Sequence, residues 1–383
     1  MTTYFDNAAT TILDPALQDE FWRLNQEVFA NPNSIHSEGK KAKKTIENAR
    51  DFFAQYLNCQ SNEIFFTSGA SESNNFFLKS YPCDLVITSP AEHSCVLESA
   101  KASKNPIHWL SLDKHARYNF AELEKVISEN KDKKILVSIM FANNEIGSIN
   151  DIQKICELKK KYANLIVHSD CVQALSKIKL DLQKLDIDSI SASAHKIHGP
   201  KGVGLLYLNK KSQGILSLKN LALIHGGGQE QGFRSGTQNV MGIALFAKAI
   251  QIAQEKNYSQ KVYELDKYFS DKALASEDIV LNNPSFDKIP GIFNLYLKNC
   301  KLKKEELVLQ LDLNNFCVSS GSACSSLKGD AQIISSYVLR AAGIENTIAE
   351  KSIRISLSSF NNTQEIDNLF KIIQKLSANF ATL

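Results

Sequence analysis

Short apolar runs recur along the first part of the chain and alternate with helical segments. The runs cover residues 64–67, 85–88, 135–141, 165–167, 188–192 and 203–208. Strands and helices that alternate in this way are typical of a mostly parallel α/β sheet. A helix predicted from about Gly242 to Glu255 leads out of this region. We therefore predict a large α/β domain over residues 13–250 and a smaller α+β domain formed by residues 1–12 and 251–383.

A lysine follows one of these predicted strands, at the start of a turn that contains glycines. Residues 193–202 read Ser-Ala-His-Lys-Ile-His-Gly-Pro-Lys-Gly, which places Lys196 shortly after the apolar run of residues 188–192. Most lysines are solvated on the surface, but one held behind a buried strand can lose its charge and become an amine nucleophile. Lys196 is therefore our candidate for covalent attachment of a cofactor.

The turn after the first strand is rich in small residues. Residues 63–73 read Glu-Ile-Phe-Phe-Thr-Ser-Gly-Ala-Ser-Glu-Ser and lead into a predicted helix. Such a turn can hold a phosphate, because glycine permits close backbone approach, hydroxyls donate hydrogen bonds and a helix N-terminus is partially positive. The alternative is a plain helix-capping turn without a ligand.

Polar residues follow three further strands at the edge where open α/β sheets bind ligands. If a cofactor with a pyridine ring binds there, Asp170 is placed to pair with its protonated nitrogen, and Gln173 is placed to reach a phenolic oxygen on the same ring. Asn144 is placed to contact a substrate or the ring, and His93 to stack on it. The alternatives are turn roles for Asp170 and Asn144 and a solvated His93. Together with Lys196, these residues favour pyridoxal phosphate as the cofactor.

A cysteine lies far downstream among glycine and small polar residues. Residues 317–326 read Cys-Val-Ser-Ser-Gly-Ser-Ala-Cys-Ser-Ser, a composition typical of an exposed loop. A thiol on such a loop can approach a substrate as thiolate, whereas a core cysteine is an inert hydrophobe. We predict that Cys317 lies in the core and that Cys324 is the nucleophile.

These segments together resemble the NifS/IscS-like group of pyridoxal-phosphate-dependent cysteine desulfurases, within the class V aminotransferase family. The resemblance covers nearly the whole chain and runs from residues 4–11 through 67–73, 143–147, 195–196, 226–237 and 319–324 to 352–356. It implies the type I fold of pyridoxal-phosphate enzymes, with a mostly parallel seven-stranded sheet in the large domain.

The resemblance also implies roles for individual residues. Lys196 would bind the cofactor covalently and act as acid and base, His93 would stack on the ring and shuttle a proton, and Cys324 would attack the substrate sulfur. The substrate carboxylate would bind Asn144 and Arg354. The cofactor and its phosphate would contact Ala70, Ser71, His93, Asn144, Asp170, Gln173, Ser193, His195 and Lys196, together with Thr237 of the second subunit of a homodimer.

The implied reaction converts L-cysteine to L-alanine and leaves a persulfide on Cys324. That sulfur would pass to an acceptor protein, either an iron–sulfur scaffold or a tRNA-thiolation enzyme, and Cys324 could become a transient iron–sulfur ligand. The remaining alternatives are a selenocysteine lyase, or a related β-lyase or aminotransferase that would not need Cys324. A further alternative, a non-catalytic sulfur carrier or interaction protein, would show no cofactor absorbance and no loss when Lys196 is changed.

Composition agrees with a globular enzyme rather than a nucleic-acid or membrane protein. The 383 residues are 43% hydrophobic and 22% charged, and the net charge of +3 is too small to indicate nucleic-acid binding. No apolar run is long enough to cross a membrane and no targeting segment is visible. The eight cysteines form no metal-binding or disulfide pattern, so we expect no metal site and a reducing cytoplasm.

Overall fold

The computed structural model describes residues 2–211, 222, 224–282, 287–321 and 336–381. Its strands are β1 (Thr3–Tyr4), β2 (Ile64–Thr67), β3 (Leu85–Thr88), β4 (Ile107–Trp109), β5 (Ile135–Ser138), β6 (Leu165–Asp170), β7 (Ser189–Ser193), β8 (Gly204–Leu208), β9 (Ile279–Leu281), β10 (Ile292–Leu297), β11 (Phe316–Cys317) and β12 (Ile353–Ser356). Its α-helices are α1 (Gln18–Glu27), α2 (Ser37–Leu57), α3 (Ala70–Ser80), α4 (Ser94–Ala102), α5 (Phe120–Glu129), α6 (Ile152–Glu157), α7 (Leu182–Leu185), α8 (Val240–Glu255), α9 (Tyr258–Leu274), α10 (Lys304–Leu313), α11 (Tyr337–Ala341), α12 (Asn346–Ala349) and α13 (Thr363–Asn379).

The central sheet has seven strands in the order β2-β8-β7-β6-β5-β3-β4. Only β8 is antiparallel to its neighbours β2 and β7, which confirms the prediction of a mostly parallel seven-stranded sheet. The apolar runs identified six of these strands. They did not identify β4, because this three-residue edge strand is only partly buried and carries no apolar run.

Both faces of the central sheet are covered by helices. Successive residues of β2 alternate between the two faces, so that Ile64 and Phe66 pack in one hydrophobic cluster and Phe65 in another. Helices α2 and α8 cover the first face, where the rings of Phe53 and Phe246 meet edge to face at 4.7 Å. A sheet buried on both faces explains why its strands appear in the sequence as continuous apolar runs.

Two smaller sheets form around a separate hydrophobic cluster. Strands β9, β10 and β12 form a three-stranded antiparallel sheet, and β1 pairs in parallel with β11. Phe5 from the N-terminal segment stacks on Phe316 within this cluster, with 6.1 Å between ring centroids. This arrangement supports the division into residues 1–12 with 251–383 and residues 13–250, which we retain as a proposal.

Two local predictions differ from the structure. Helix α8 begins at Val240 rather than Gly242, because the Asn239 side chain caps it by accepting a hydrogen bond from Gly242 N. The prediction that Cys317 lies in the core is wrong, since its side chain is only half-buried. Side chains alternate along a strand, so when Phe316 enters the core Cys317 faces the other way. Within the described ranges every helix is too short or too polar to cross a bilayer.

Candidate active site

A cavity of about 500 Å³ lies at the carboxyl ends of β6 and β7 and the N-terminus of α3. Nine of the predicted site residues line it: Ala70, Ser71, His93, Asn144, Asp170, Gln173, Ser193, His195 and Lys196. Thr237 and Arg354 do not contribute to this lining. Cys324 lies outside the described residues. The parallel sheet therefore gathers side chains that are more than 100 residues apart, because the ends of its strands share one edge.

Lys196 ends a single 3-10 turn, Ala194–Lys196, that follows β7 directly. The side chain is half-buried, and Nζ donates hydrogen bonds of 2.7 Å to both Ala8 O and Ala9 O. The N-terminal segment is held here because Thr11 N donates to His195 O at 2.8 Å. Two chain segments nearly 190 residues apart therefore position the lysine amine at the cavity wall.

The small-residue turn before α3 is held in place by a close approach between two glycines. A Cβ built on Gly204 at the start of β8 would lie 2.5 Å from Gly69 Cα and 2.8 Å from Ala192 O. No residue but glycine fits there without a shift of the backbone. Ala70 and Ser71 open α3, whose eleven residues point their N-terminus into the cavity. This geometry suits a phosphate, because backbone N–H groups and the helix dipole both favour an anion.

Asp170 is the last residue of β6 and is 5% exposed. Its Oδ2 accepts a hydrogen bond of 2.7 Å from Asn74 Nδ2, and its Oδ1 accepts one of 3.0 Å from Val172 N. The second bond is the turn role considered for this residue, while the first anchors the carboxylate from behind. A carboxylate held by two donors at a cavity wall is suited to pair with a cationic ring nitrogen.

Gln173 lines the cavity, but its amide is engaged with protein atoms. Nε2 donates to Ala8 O at 3.0 Å, and Oε1 accepts from Lys177 Nζ at 2.9 Å. Sequence reasoning overlooked Lys177, since nothing in a lysine-rich chain distinguishes it. Burial, and then the charges of Lys196 and Arg354, lower the pKa of Lys177 to about 7. A contact between Gln173 and a ring oxygen therefore remains a proposal.

Two histidines flank the cavity. His93 caps α4, and its Nδ1 accepts a hydrogen bond of 3.2 Å from Cys95 N, so the neutral ring carries its proton on Nε2. His195 Nδ1 lies 3.1 Å from Thr10 Oγ1. Burial, followed by the charges of Lys196 and Lys201, lowers the pKa of His195 to about 4. His195 is therefore neutral near pH 7.

The turn at residues 143–147 contains two neighbouring asparagines, one that stabilises the turn and one that lines the cavity. Asn143 has the turn role, since its Oδ1 accepts from Glu145 N at 2.8 Å and from Ile146 N at 3.0 Å. Asn144 lines the cavity, and its carbonyl accepts a hydrogen bond of 3.0 Å from Arg354 Nη1. The turn thereby connects the central sheet to β12.

Arg354 is 1% exposed and lies one residue into β12. Its Nη2 forms an ion pair of 2.6 Å with Asp6 Oδ1. The buried Nε has no hydrogen-bond partner among the described residues. A buried guanidinium with a free donor is suited to bind a carboxylate, because the planar fork offers donors in a fixed geometry.

The described residues on either side of Cys324 lie beside Glu145, which follows Asn144 in the chain. Ser336 Oγ donates to Glu145 Oε2 at 2.5 Å, and a Cβ on Gly321 would lie 3.5 Å from the same oxygen. Tyr337 OH donates to Glu92 O at 2.8 Å, directly before His93. Gly321 and Ser336 are therefore both close to the Asn144 turn, and Tyr337 bonds to the residue before His93.

The residues of the cavity fit pyridoxal phosphate. An amine, a cationic-nitrogen partner, a stacking ring and an anion-binding helix N-terminus are the four groups this cofactor requires, and Lys196, Asp170, His93 and α3 supply them around one cavity. Its volume lies within the usual range for small-molecule sites. In the described part of the chain, no three His, Cys, Asp or Glu side chains are grouped to hold a metal ion.

Comparison with known proteins agrees with this chemistry. The family model described as aminotransferase class-V matches residues 3–369. A protein named cysteine desulfurase IscS from Clostridium botulinum strain Hall is 35% identical, over 97% of this chain and 94% of its own. The protein of the same name from Buchnera aphidicola is 38% identical, over 97% of this chain and 92% of its own. A solved NifS-like protein superposes with a TM-score of 0.86 at 36% identity, covering 99% of this chain and all of the other.

This chain belongs to the aminotransferase class-V family. The relatives confirm the predicted group, the type I fold, the cofactor pyridoxal phosphate and the enzyme class, a cysteine desulfurase. The roles of individual residues stay predictions, and the geometry described above supports them to different degrees.

Proposed function

We propose that this chain takes sulfur from L-cysteine at the cavity described above and carries it as a persulfide on Cys324. The observation that carries the proposal is that Gly321 and Ser336, on either side of Cys324, both lie beside Glu145, the residue after Asn144, while Tyr337 bonds to Glu92, the residue before His93. An attacking thiol must reach the substrate sulfur. Flanking residues that lie next to the neighbours of Asn144 and His93 support such a reach.

The cofactor-binding residues act as a set in this proposal. Lys196 holds the cofactor covalently, Asp170 pairs with its ring nitrogen, His93 stacks on the ring, and the N-terminus of α3 with Ala70 and Ser71 binds the phosphate. Ser193 and His195 complete the wall. When bound, pyridoxal phosphate supplies an electron sink for the charge that develops at the substrate Cα and Cβ.

The protein supplies the proton transfers and the nucleophile. Arg354 and Asn144 bind the substrate carboxylate, which places the Cα hydrogen near the Lys196 amine. Lys196 removes and returns protons, and His93 shuttles a proton through Nε2. The Cys324 thiolate attacks the substrate sulfur, so that an S–S bond forms while the Cβ–S bond breaks. Cβ retains the electron pair and is protonated, which gives L-alanine and the Cys324 persulfide.

We infer that the working unit is a homodimer. Thr237 is exposed and lies outside the cavity lining, as expected of a residue that binds the phosphate in a second subunit. Five large apolar side chains near the N-terminus are also exposed: Ile12, Leu13, Trp22, Phe29 and Ile35. Apolar groups of this size in one segment are typical of an interface. Sedimentation at several concentrations tests this, and a monomer at every concentration would rule out the composite site.

The acceptor of the persulfide sulfur belongs to the same proposal. A sulfur-acceptor protein is required for turnover without added reductant, and an iron–sulfur scaffold and a tRNA-thiolation enzyme both remain candidates. A cytoplasmic location, the absence of direct nucleic-acid binding and transient cluster ligation by Cys324 stay predictions.

The decisive experiment measures sulfide and alanine released from L-cysteine in the presence of reductant. Wild type is compared with Cys324→Ser and with Cys317→Ser as a matched control. We expect equal yields of both products from wild type and Cys317→Ser, and none from Cys324→Ser. Turnover that survives in Cys324→Ser would indicate direct lyase chemistry, and no turnover in either wild type or Cys324→Ser would overturn L-cysteine as the substrate.

A further inference from the structure

Asn74 lies at the centre of a buried hydrogen-bond network behind Asp170. It is fully buried on α3, and its Nδ2 donates to Asp170 Oδ2 at 2.7 Å and to Cys95 Sγ at 3.2 Å. Its Oδ1 accepts from His168 Nε2 at 2.8 Å and from Ser191 Oγ at 2.6 Å. All four hydrogen-bonding positions of one amide are therefore used.

The direction of each bond follows from the carboxylate. An ionised carboxylate only accepts, so the Asn74 NH2 group faces Asp170 and its carbonyl faces His168. His168 must then carry its proton on Nε2, and its Nδ1 accepts from Ser189 Oγ at 3.0 Å. Burial lowers the pKa of His168 to about 3, which keeps the imidazole neutral near pH 7.

The network cannot be reversed without loss. Turning the amide over would place Asn74 Oδ1 against the Asp170 carboxylate. A buried contact between two acceptors would then replace the hydrogen bond from Asn74 to Asp170. His168, Ser189 and Ser191 are fully buried on β6 and β7, so these strands fix the orientation of the amide.

We propose that Asn74 is a positioning residue that holds the Asp170 carboxylate aimed into the cavity. This inference rests on the role proposed above for Asp170 as partner of the ring nitrogen. A buried carboxylate that loses a fixed donor is no longer held in one orientation, and its charge-assisted hydrogen bond to a cationic nitrogen weakens. Asn74 therefore acts on the cofactor only through Asp170 and the strands around it.

The test is a double-mutant cycle read as the affinity of the apoprotein for pyridoxal phosphate, followed by cofactor absorbance. We expect Asn74→Ala to weaken binding about tenfold, the equivalent of ~1.4 kcal/mol, and Asp170→Asn to weaken it at least as much. In the Asp170→Asn background, Asn74→Ala should change the affinity less than about twofold. Equal losses in both backgrounds would overturn the proposal, because a merely structural role is additive.

Matched variants distinguish a failure of the role proposed for Asn74 from a failure of the role proposed for Asp170. Asn75→Ala removes the neighbouring amide on α3, whose exposed Nδ2 donates to Ser71 O one turn earlier in the same helix, and should retain wild-type affinity. If Asn74→Ala does not fold, Ser191→Ala removes one donor to the Asn74 carbonyl and enters the same cycle with a smaller expected loss of about threefold. Unchanged affinity in folded Asp170→Asn would refute the proposed role of Asp170. A loss there, with none in folded Asn74→Ala, would refute the role of Asn74 alone.

Discussion

The two sides of the active site are built by different means. On the proposed cofactor side, Asp170 and Ser193 end the neighbouring parallel strands β6 and β7, and Lys196 follows β7 within one turn. On the proposed substrate side, Arg354 comes from a separate antiparallel sheet and is held by Asp6 and the carbonyl of Asn144. The backbone of the first side is set by the order of strands in one sheet, whereas the second depends on pairing between segments nearly 350 residues apart. Changes on the two sides should therefore affect different measurements.

The largest effect is expected from Lys196→Ala. In the proposed mechanism the lysine provides both covalent attachment and the proton transfers, so alanine formation from L-cysteine should fall by a factor on the order of 10⁴. Because Arg354 is untouched, the variant should still bind L-cysteine. Steady-state alanine release and equilibrium binding of L-cysteine check the two expectations. If the variant kept a tenth of wild-type activity, the role proposed for Lys196 would be wrong.

Arg354→Lys tests the other side of the site. Lysine keeps the charge but loses the planar fork, and a hydrogen bond to a charged group contributes about 1.5–3 kcal/mol. We expect KM for L-cysteine to rise at least about tenfold, with unchanged affinity for pyridoxal phosphate. Arg340→Lys, at an exposed arginine, is the control and should behave as wild type. A loss of cofactor affinity in Arg354→Lys would show that the two sides are not separable.

Gly204→Ala perturbs the cofactor side through the backbone. The added methyl group would approach Gly69 Cα within 2.5 Å and displace the turn that opens α3. Overpacking of this kind costs about 1–3 kcal/mol. We expect affinity for pyridoxal phosphate to fall roughly 5- to 100-fold, while KM for L-cysteine in the cofactor-saturated enzyme changes little. Unchanged cofactor affinity would mean that the turn does not bind the phosphate.

The smallest effect concerns stability and comes from His168 beneath the cofactor side. Burial lowers its pKa from about 6.5 in the unfolded chain to about 3. Between these values the unfolded state binds the extra proton, so the free energy of unfolding falls as pH drops below ~6.5 and is unaffected above it. From pH 7 to about 5.5, wild type should lose ~1 kcal/mol more than His168→Gln, as measured by urea unfolding of the apoprotein. Parallel losses in the two proteins would assign the effect to other groups.

Some site residues were recognisable from sequence because their local pattern limits their position. Lys196 and Asp170 each follow a predicted strand, and the glycine turn before Ala70 leads into a helix, so all three were expected at one sheet edge. Other residues gave no such signal. Asn74 and Lys177 look like ordinary polar residues in their segments, and they acquire partners only when α3, β6 and β7 pack together.

The sequence by itself determined the class of fold and the family, and it predicted the side chains proposed to carry the chemistry, because strand periodicity and turn residues act over a few positions. The tertiary structure alone decided the edge strand β4, the exposure of Cys317 and the pairing of Arg354 with Asp6. It also decided that the Gln173 amide is taken up by Ala8 and Lys177. These features depend on contacts between distant segments, and such contacts exist only once the strands have taken their order in the sheet.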